Sequence, residues 1–167
     1  MVIIGIDPGL THTGWGVIRD EGDAWRACAY GCVDTSPKQP MAERLDLIHA
    51  GIREVIARYG VEHAAIEDVF AGTNVRTAFL LGQARGCALL ACSQLAGGVG
   101  EYPPNSIKQH IVGFGHADKE QVGYMVQMLL GLDHLPKPDH CSDALAIALT
   151  HGYALMRSNR IEAGCPS

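Results

Sequence analysis

A run of β-branched residues that ends abruptly in a carboxylate sets the terms for this chain. Val2, Ile3, Ile4 and Ile6 surround Gly5 in an apolar stretch, the composition of a strand buried on both faces. Asp7 closes the run where Pro8-Gly9 demands a turn. A carboxylate fixed at the end of a core strand is partly desolvated, which costs free energy unless something pairs with it. Asp7 therefore either caps its own turn or serves as a divalent-metal or phosphate-site ligand, and the rest of the chain must decide.

The segments that follow place Asp7 in a sheet. Thr13–Arg19 and Trp25–Val33 read as two more strands, with Glu21-Gly22-Asp23 as the turn between them, so the first three strands form an antiparallel meander. Leu45, Ile48, Ile52, Val55 and Tyr59 recur at spacings of three and four, an amphipathic helix ending at Gly60. His63–Val69 is a short apolar strand that again delivers acids at its end, and a strand-helix-strand order implies a parallel crossover back onto the sheet. A long helix is predicted from Val75 to Leu95, with Gly82 and Gly86 four apart on one face for close approach of the sheet or of a second subunit. Val99–Tyr102 reads as an edge strand stopped by Pro103-Pro104. Asn105 or Ser106 can cap a short helix through Val112, and Asp118 one through Leu130. The last helix spans about His140 to Met156. The order βββ-α-β-α-β-α gives an α/β sandwich around a mixed sheet. Residues 1–158 are expected to form one domain and 159–167 a disordered tail.

Bulk properties exclude several classes of function. A chain of 167 residues, 47% hydrophobic and 19% charged, is an ordinary globular protein. No apolar run approaches the ~20 residues that span a bilayer, and the amino terminus lacks a basic segment followed by a hydrophobic core, so no membrane partner and a cytoplasmic location are expected. The six cysteines include no CxxC pair and no zinc-like spacing. Cys28 and Cys32 should share one face of the third strand. Net charge is −5, against general nucleic-acid stickiness. Between Thr73 and Lys119, however, Arg76, Arg85, Lys108 and Lys119 face only Glu101 and Asp118, a basic zone on an acidic body.

The acids converge. Parallel neighbours end at the same edge of a sheet, so Asp7 and Glu67 meet at the carboxyl edge, where α/β proteins place ligand sites. The last helix offers His140 and Asp143 at i and i+3, or Asp139 and Asp143 at i and i+4. Clustered carboxylates repel, and the outcome is a raised pKa or a bound cation. Hard oxygens with an optional imidazole suit Mg²⁺ or Mn²⁺, and two such ions can drive phosphodiester hydrolysis. Taken singly, each acid has an ordinary role as a cap or ion-pair partner.

Four collinear segments carry a resemblance. Ile4-Gly5-Ile6-Asp7-Pro8-Gly9, Ala65-Ile66-Glu67-Asp68-Val69-Phe70, Leu81-Gly82-Gln83-Ala84-Arg85-Gly86 and Ser142-Asp143-Ala144-Leu145-Ala146-Ile147-Ala148 resemble the RuvC family of bacterial Holliday-junction resolvases, over about residues 1–152. The resemblance implies an RNase H-like fold with a five-stranded mixed sheet, strands one to three antiparallel and the rest parallel, flanked by helices. It implies a homodimer that nicks two symmetric strands of a four-way DNA junction in recombination and repair, with two Mg²⁺ or Mn²⁺ ions per site and a branch-migration helicase as partner. The family's catalytic, metal-binding acids fall on Asp7, Glu67 and Asp143. Its fourth position, Asp or His across the family, falls on His140, with Asp139 the alternative one residue out of register. Phe70 matches a position able to stack on an unpaired base. Thr73, Asn74 and Arg76 fall in a stretch that approaches bases, and Lys108 and Lys119 match lysines that contact DNA.

Two other readings compete. A catalytically inactive junction binder on the same fold would gain nothing from carboxylates facing phosphates. An actin-like nucleotide-binding phosphotransferase needs a second lobe and a second glycine-rich phosphate loop, for which the chain is too short.

Overall fold

The computed structural model describes residues 1–68 and 74–162. Five strands form one sheet in the order β3-β2-β1-β4-β5, with β1 (Val2–Asp7) at its centre, flanked by β2 (His12–Asp20) and β4 (His63–Glu67). β1 pairs antiparallel with β2, and β2 with β3 (Trp25–Asp34). β1 pairs parallel with β4, which in turn pairs parallel with β5 (Val99–Tyr102). The meander and crossover expected from the sequence are both present.

Alternation along β1 divides the core. Ile4 and Ile6 join Val17, Ile66, Ile52 and Val55 on one face, covered by α1 (Met41–Tyr59) and α2 (Val75–Cys92). Ile3 joins Ile18, Ala65, Leu145 and Val126 on the other, beneath α3 (Pro104–Val112), α4 (Lys119–Leu130) and α5 (Asp139–Glu162). Period-two geometry then assigns Asp7 and Glu67, in step with Ile3 and Ala65, to the α5 face.

Glycines let α5 lie directly on the sheet. A Cβ on Gly5 would collide with the main-chain oxygen of Ala144 and nitrogen of Ala148. One on Gly14 would strike the main chain and Cβ of His140, and one on Gly16 the side chain of Leu145. These absent methyl groups bring the first two turns of α5 within reach of Asp7.

Several boundaries depart from the sequence expectations for local reasons. α2 stops at Cys92 rather than Leu95, because the N–H and hydroxyl of Ser93 both donate to the Leu90 carbonyl (3.2 and 2.8 Å) and compete with further helix. α3 has no side-chain cap from Asn105 or Ser106 and starts instead at Pro104, which a first helical position accepts because its N–H would be unpaired anyway. β4 ends at Glu67, and Val69 lies outside the described residues. α5 begins at Asp139 and continues to Glu162, past the Met156 end predicted. A β-bulge between Val17 and Ile18 leaves Cys28 out of register; it is exposed, whereas Cys32 is half-buried with its Sγ 3.9 Å from that of Cys141. Asp118 does cap α4, in a capping box with Gln121, and Gly60 ends α1 with φ 61°. Among the described residues no helix is long and apolar enough to cross a membrane.

Candidate active site at the carboxyl edge of the sheet

Asp7 is the last residue of β1 and sits opposite Gly14 of β2. Parallel pairing of Ile6 with Ile66 brings Glu67, one residue on, alongside it. Across the sheet face, α5 contributes His140 and Asp143 from one side of its first turns. His140 Nδ1 lies 2.7 Å from Asp7 Oδ2, and donor atoms of Asp7, His140 and Asp143 all fall within 4.8 Å of one another. Glu67 is outside this tightest group but shares the cleft, of about 320 Å³, with Asp7, His140, Asp143, Lys108 and Lys119. Ile107, Val122 and Ile147 form its apolar floor.

The electrostatics are those of crowded acids under partial burial. Burial pushes the Asp7 carboxyl above its usual range; its hydrogen bond to His140 opposes this, and the charge of Asp143 adds to it. Glu67 is pushed up to about 7, first by burial and then by the charges of Asp7 and Asp143. Lys119 Nζ stands 3.2 Å from Asp143 Oδ2, and that carboxylate raises the lysine further. The donor chemistry fits a divalent cation: carboxylate oxygens with an imidazole, close together, holding like charges that a cation would relieve.

The remaining candidates are distributed unevenly. Asp139 is absent from this cleft and from the close donor group; its exposed side chain places Oδ1 3.6 Å from Lys137 Nζ. Lys108 lines the cleft from α3. Asn74 caps α2, its side-chain oxygen accepting from Thr77 N–H at 3.2 Å, and Arg76 is exposed in the first turn. Phe70 and Thr73 lie outside the described residues.

Two neighbours of the site were not assigned to it by the sequence. Arg85, within the quoted Leu81–Gly86 segment, donates from Nε to the Glu67 carbonyl at 3.1 Å. It also pairs with Asp68 at 3.3 Å and with Glu101, tying α2 to the ends of β4 and β5. The imidazole of His12 stacks on that of His140. A row of His12, Gly14 and Gly16 at period two on β2 was the available clue, but its meaning depends on α5 crossing that row.

Comparison with known proteins places this arrangement. The family model for Crossover junction endodeoxyribonuclease RuvC matches residues 3–151. A protein of that name from Rubrobacter xylanophilus is 45% identical over 165 residues, covering 99% of this chain and 92% of its own. The structure of Thermus thermophilus RuvC is 44% identical and superposes with a TM-score of 0.85 over 93% of this chain and 96% of that one. T. thermophilus RuvC in complex with Holliday junction substrate matches over the same shares, at the same identity, with a TM-score of 0.87.

Proposed function

This chain belongs to the RuvC family of crossover junction endodeoxyribonucleases, and from that membership we propose how its own residues carry the reaction. The protein is a nuclease that resolves Holliday junctions. Asp7, Glu67, Asp143 and His140 are the catalytic set and hold two divalent cations, Mg²⁺ or Mn²⁺. The supporting observation is the convergence of Asp7, His140 and Asp143 within 4.8 Å in a cleft that also contains Glu67 and two lysines. His140 rather than Asp139 is the fourth member, because Asp139 turns toward Lys137 while His140 meets Asp7.

The residues divide the work by position. Asp7 is anchored at the end of the central strand and so has the least freedom of the four. Asp143 and His140 ride on a helix whose seat is fixed by the glycines of β1 and β2. Bound cations would polarise the scissile phosphate and supply an activated water. Lys108 and Lys119 bring positive charge to the phosphates of the strand in the cleft, a contact that orients DNA without reading its sequence. Phe70 would stack on an unpaired base at the junction centre and Thr73 would meet base edges, while Asn74 and Arg76 approach base edges from the start of α2.

Paired symmetric nicking requires two sites in one assembly, and α2 offers the surface for a homodimer. Val75, Phe79, Gly82, Gly86 and Leu90 fall on one stripe of the helix; the three large side chains are exposed and the two glycines have open space over them. The small residues anticipated as a close-approach face have open space over them, which supports a second copy rather than the sheet as their partner. A branch-migration helicase remains the expected partner and the cytoplasm the expected location, which a DNA substrate supports.

Incubation with a synthetic four-way junction and with a linear duplex of the same arms tests this reading. Cleavage of the junction alone, dependent on Mg²⁺ or Mn²⁺ and abolished by chelation, is expected. Equal cleavage of the duplex, or nicking that survives chelation, would overturn it.

A further inference from the structure

His12 stands at the open end of the β2 row that faces α5. The other members of that row, Gly14 and Gly16, allow the helix to touch the sheet; His12 alone among the three sends up a side chain. Its ring stacks on that of His140, with centroids 5.7 Å apart and planes 25° from parallel. It does not join Asp7, His140 and Asp143 in the close donor group. At its other edge His12 Nδ1 meets Asp34 Oδ1 at 2.8 Å, and the two residues are register partners across β2 and β3. The order is thus Asp34, His12, His140, Asp7, with each imidazole held at Nδ1 by a carboxylate and the two rings in an offset stack.

His140 needs such support. Its side chain is 39% exposed, and the bond to Asp7 fixes one edge of the ring but not its plane. A second ring laid against its face restricts rotation about the side-chain bonds, and a ligand whose orientation is fixed in advance loses less freedom when it binds a cation. From this geometry we infer that His12 is a positioning residue for His140, held in place by Asp34, and that it raises the affinity of the site for a divalent cation without ligating it. The inference rests on His140 being a ligand.

Mn²⁺ titration of the full-length protein, followed by electron paramagnetic resonance of the free ion, measures the effect without turnover. His12→Ala should weaken Mn²⁺ binding by roughly tenfold, the lower end of the loss when a ligand's supporting group is removed. His12→Phe, which keeps a ring and removes both nitrogens, should stay within about twofold of wild type if stacking is the cause. Asp34→Ala should fall between the two. Thermal melts without metal should match wild type for all three, since these side chains are substantially exposed. Wild-type affinity in His12→Ala, or equal loss in His12→Phe and His12→Ala, would overturn the inference; the second result would assign the effect to a ring nitrogen. His140→Ala run beside them separates the premise: undiminished Mn²⁺ binding there refutes His140 as a ligand, whatever His12→Ala does.

Discussion

Glu67→Gln should make the metal-free protein more stable while destroying its activity. Glu67 ionises with a pKa of about 7 in the folded protein instead of 4.5, because it is largely buried and faces Asp7 and Asp143. Between these two values the folded state holds a proton that the unfolded chain has lost. Stability therefore falls as pH rises through this window, and the deficit persists above it. At full strength the displacement corresponds to ~3 kcal/mol at pH 7.5. Solvent in the cleft screens it, leaving an expected gain of about 1–2 kcal/mol for the neutral amide. For a domain of this size that is ~3–6 °C in Tm. Thermal melts in chelator at pH 5 and pH 7.5 should show the wild type losing stability toward pH 7.5 relative to Glu67→Gln, with the two converging at pH 5. Added Mg²⁺ should recover the wild type at pH 7.5 by preferential binding to the folded state and do less for the variant. Equal Tm values at pH 7.5 without metal would refute the crowded-acid account of this cleft.

Other consequences are sharper in sign than in size. His140→Ala should reduce junction nicking at least ~100-fold while gel-shift affinity in the absence of cleavage survives, whereas Asp139→Ala should change nicking less than ~3-fold; the opposite ranking would return the fourth position to Asp139. Lys108→Ala should weaken binding to all junction sequences alike and lower the slope of log K against log salt by about one, measured by fluorescence anisotropy. Phe79→Asp, on the exposed stripe of α2, should shift the protein to monomer in analytical ultracentrifugation and cost paired nicking, with far-UV circular dichroism unchanged.

How much of this could be read from residues alone follows from which forces are local. The β1 segment declared itself because an apolar β-branched run with Asp-Pro-Gly behind it leaves few options. The pairing of Asp7 with Glu67 followed from strand order, since a parallel crossover fixes which ends meet. α5 gave its acids by helical spacing but not its seat, because the reach of His140 to Asp7 depends on three glycines in two other elements. Gly14 and Gly16 looked like ordinary strand glycines until a helix was laid across them. Arg85 is legible as a base of the basic zone and as part of a family segment, but its grip on the Glu67 carbonyl is a contact between residues eighteen apart in the chain. At α3 a polar cap at Asn105 or Ser106 competes with Pro104, and the proline occupies the first turn because its missing N–H leaves nothing there to cap. Asp139 and His140 were separable only once α5 had a fixed rotation about its axis.

If Asp7, Glu67 and Asp143 form one hydrolytic centre that cuts junction strands, each of the three is indispensable to nicking. Nucleotide-resolution mapping of the nicks made in a labelled four-way junction with Mn²⁺, by wild type and by Asp7→Asn, Glu67→Gln and Asp143→Asn, tests it most directly. Wild type should leave symmetric nicks in two opposed strands, and each variant should lose at least ~1,000-fold in nicking with junction binding retained. Near-wild-type nicking by any one of the three, under conditions where it still binds the junction, would contradict it.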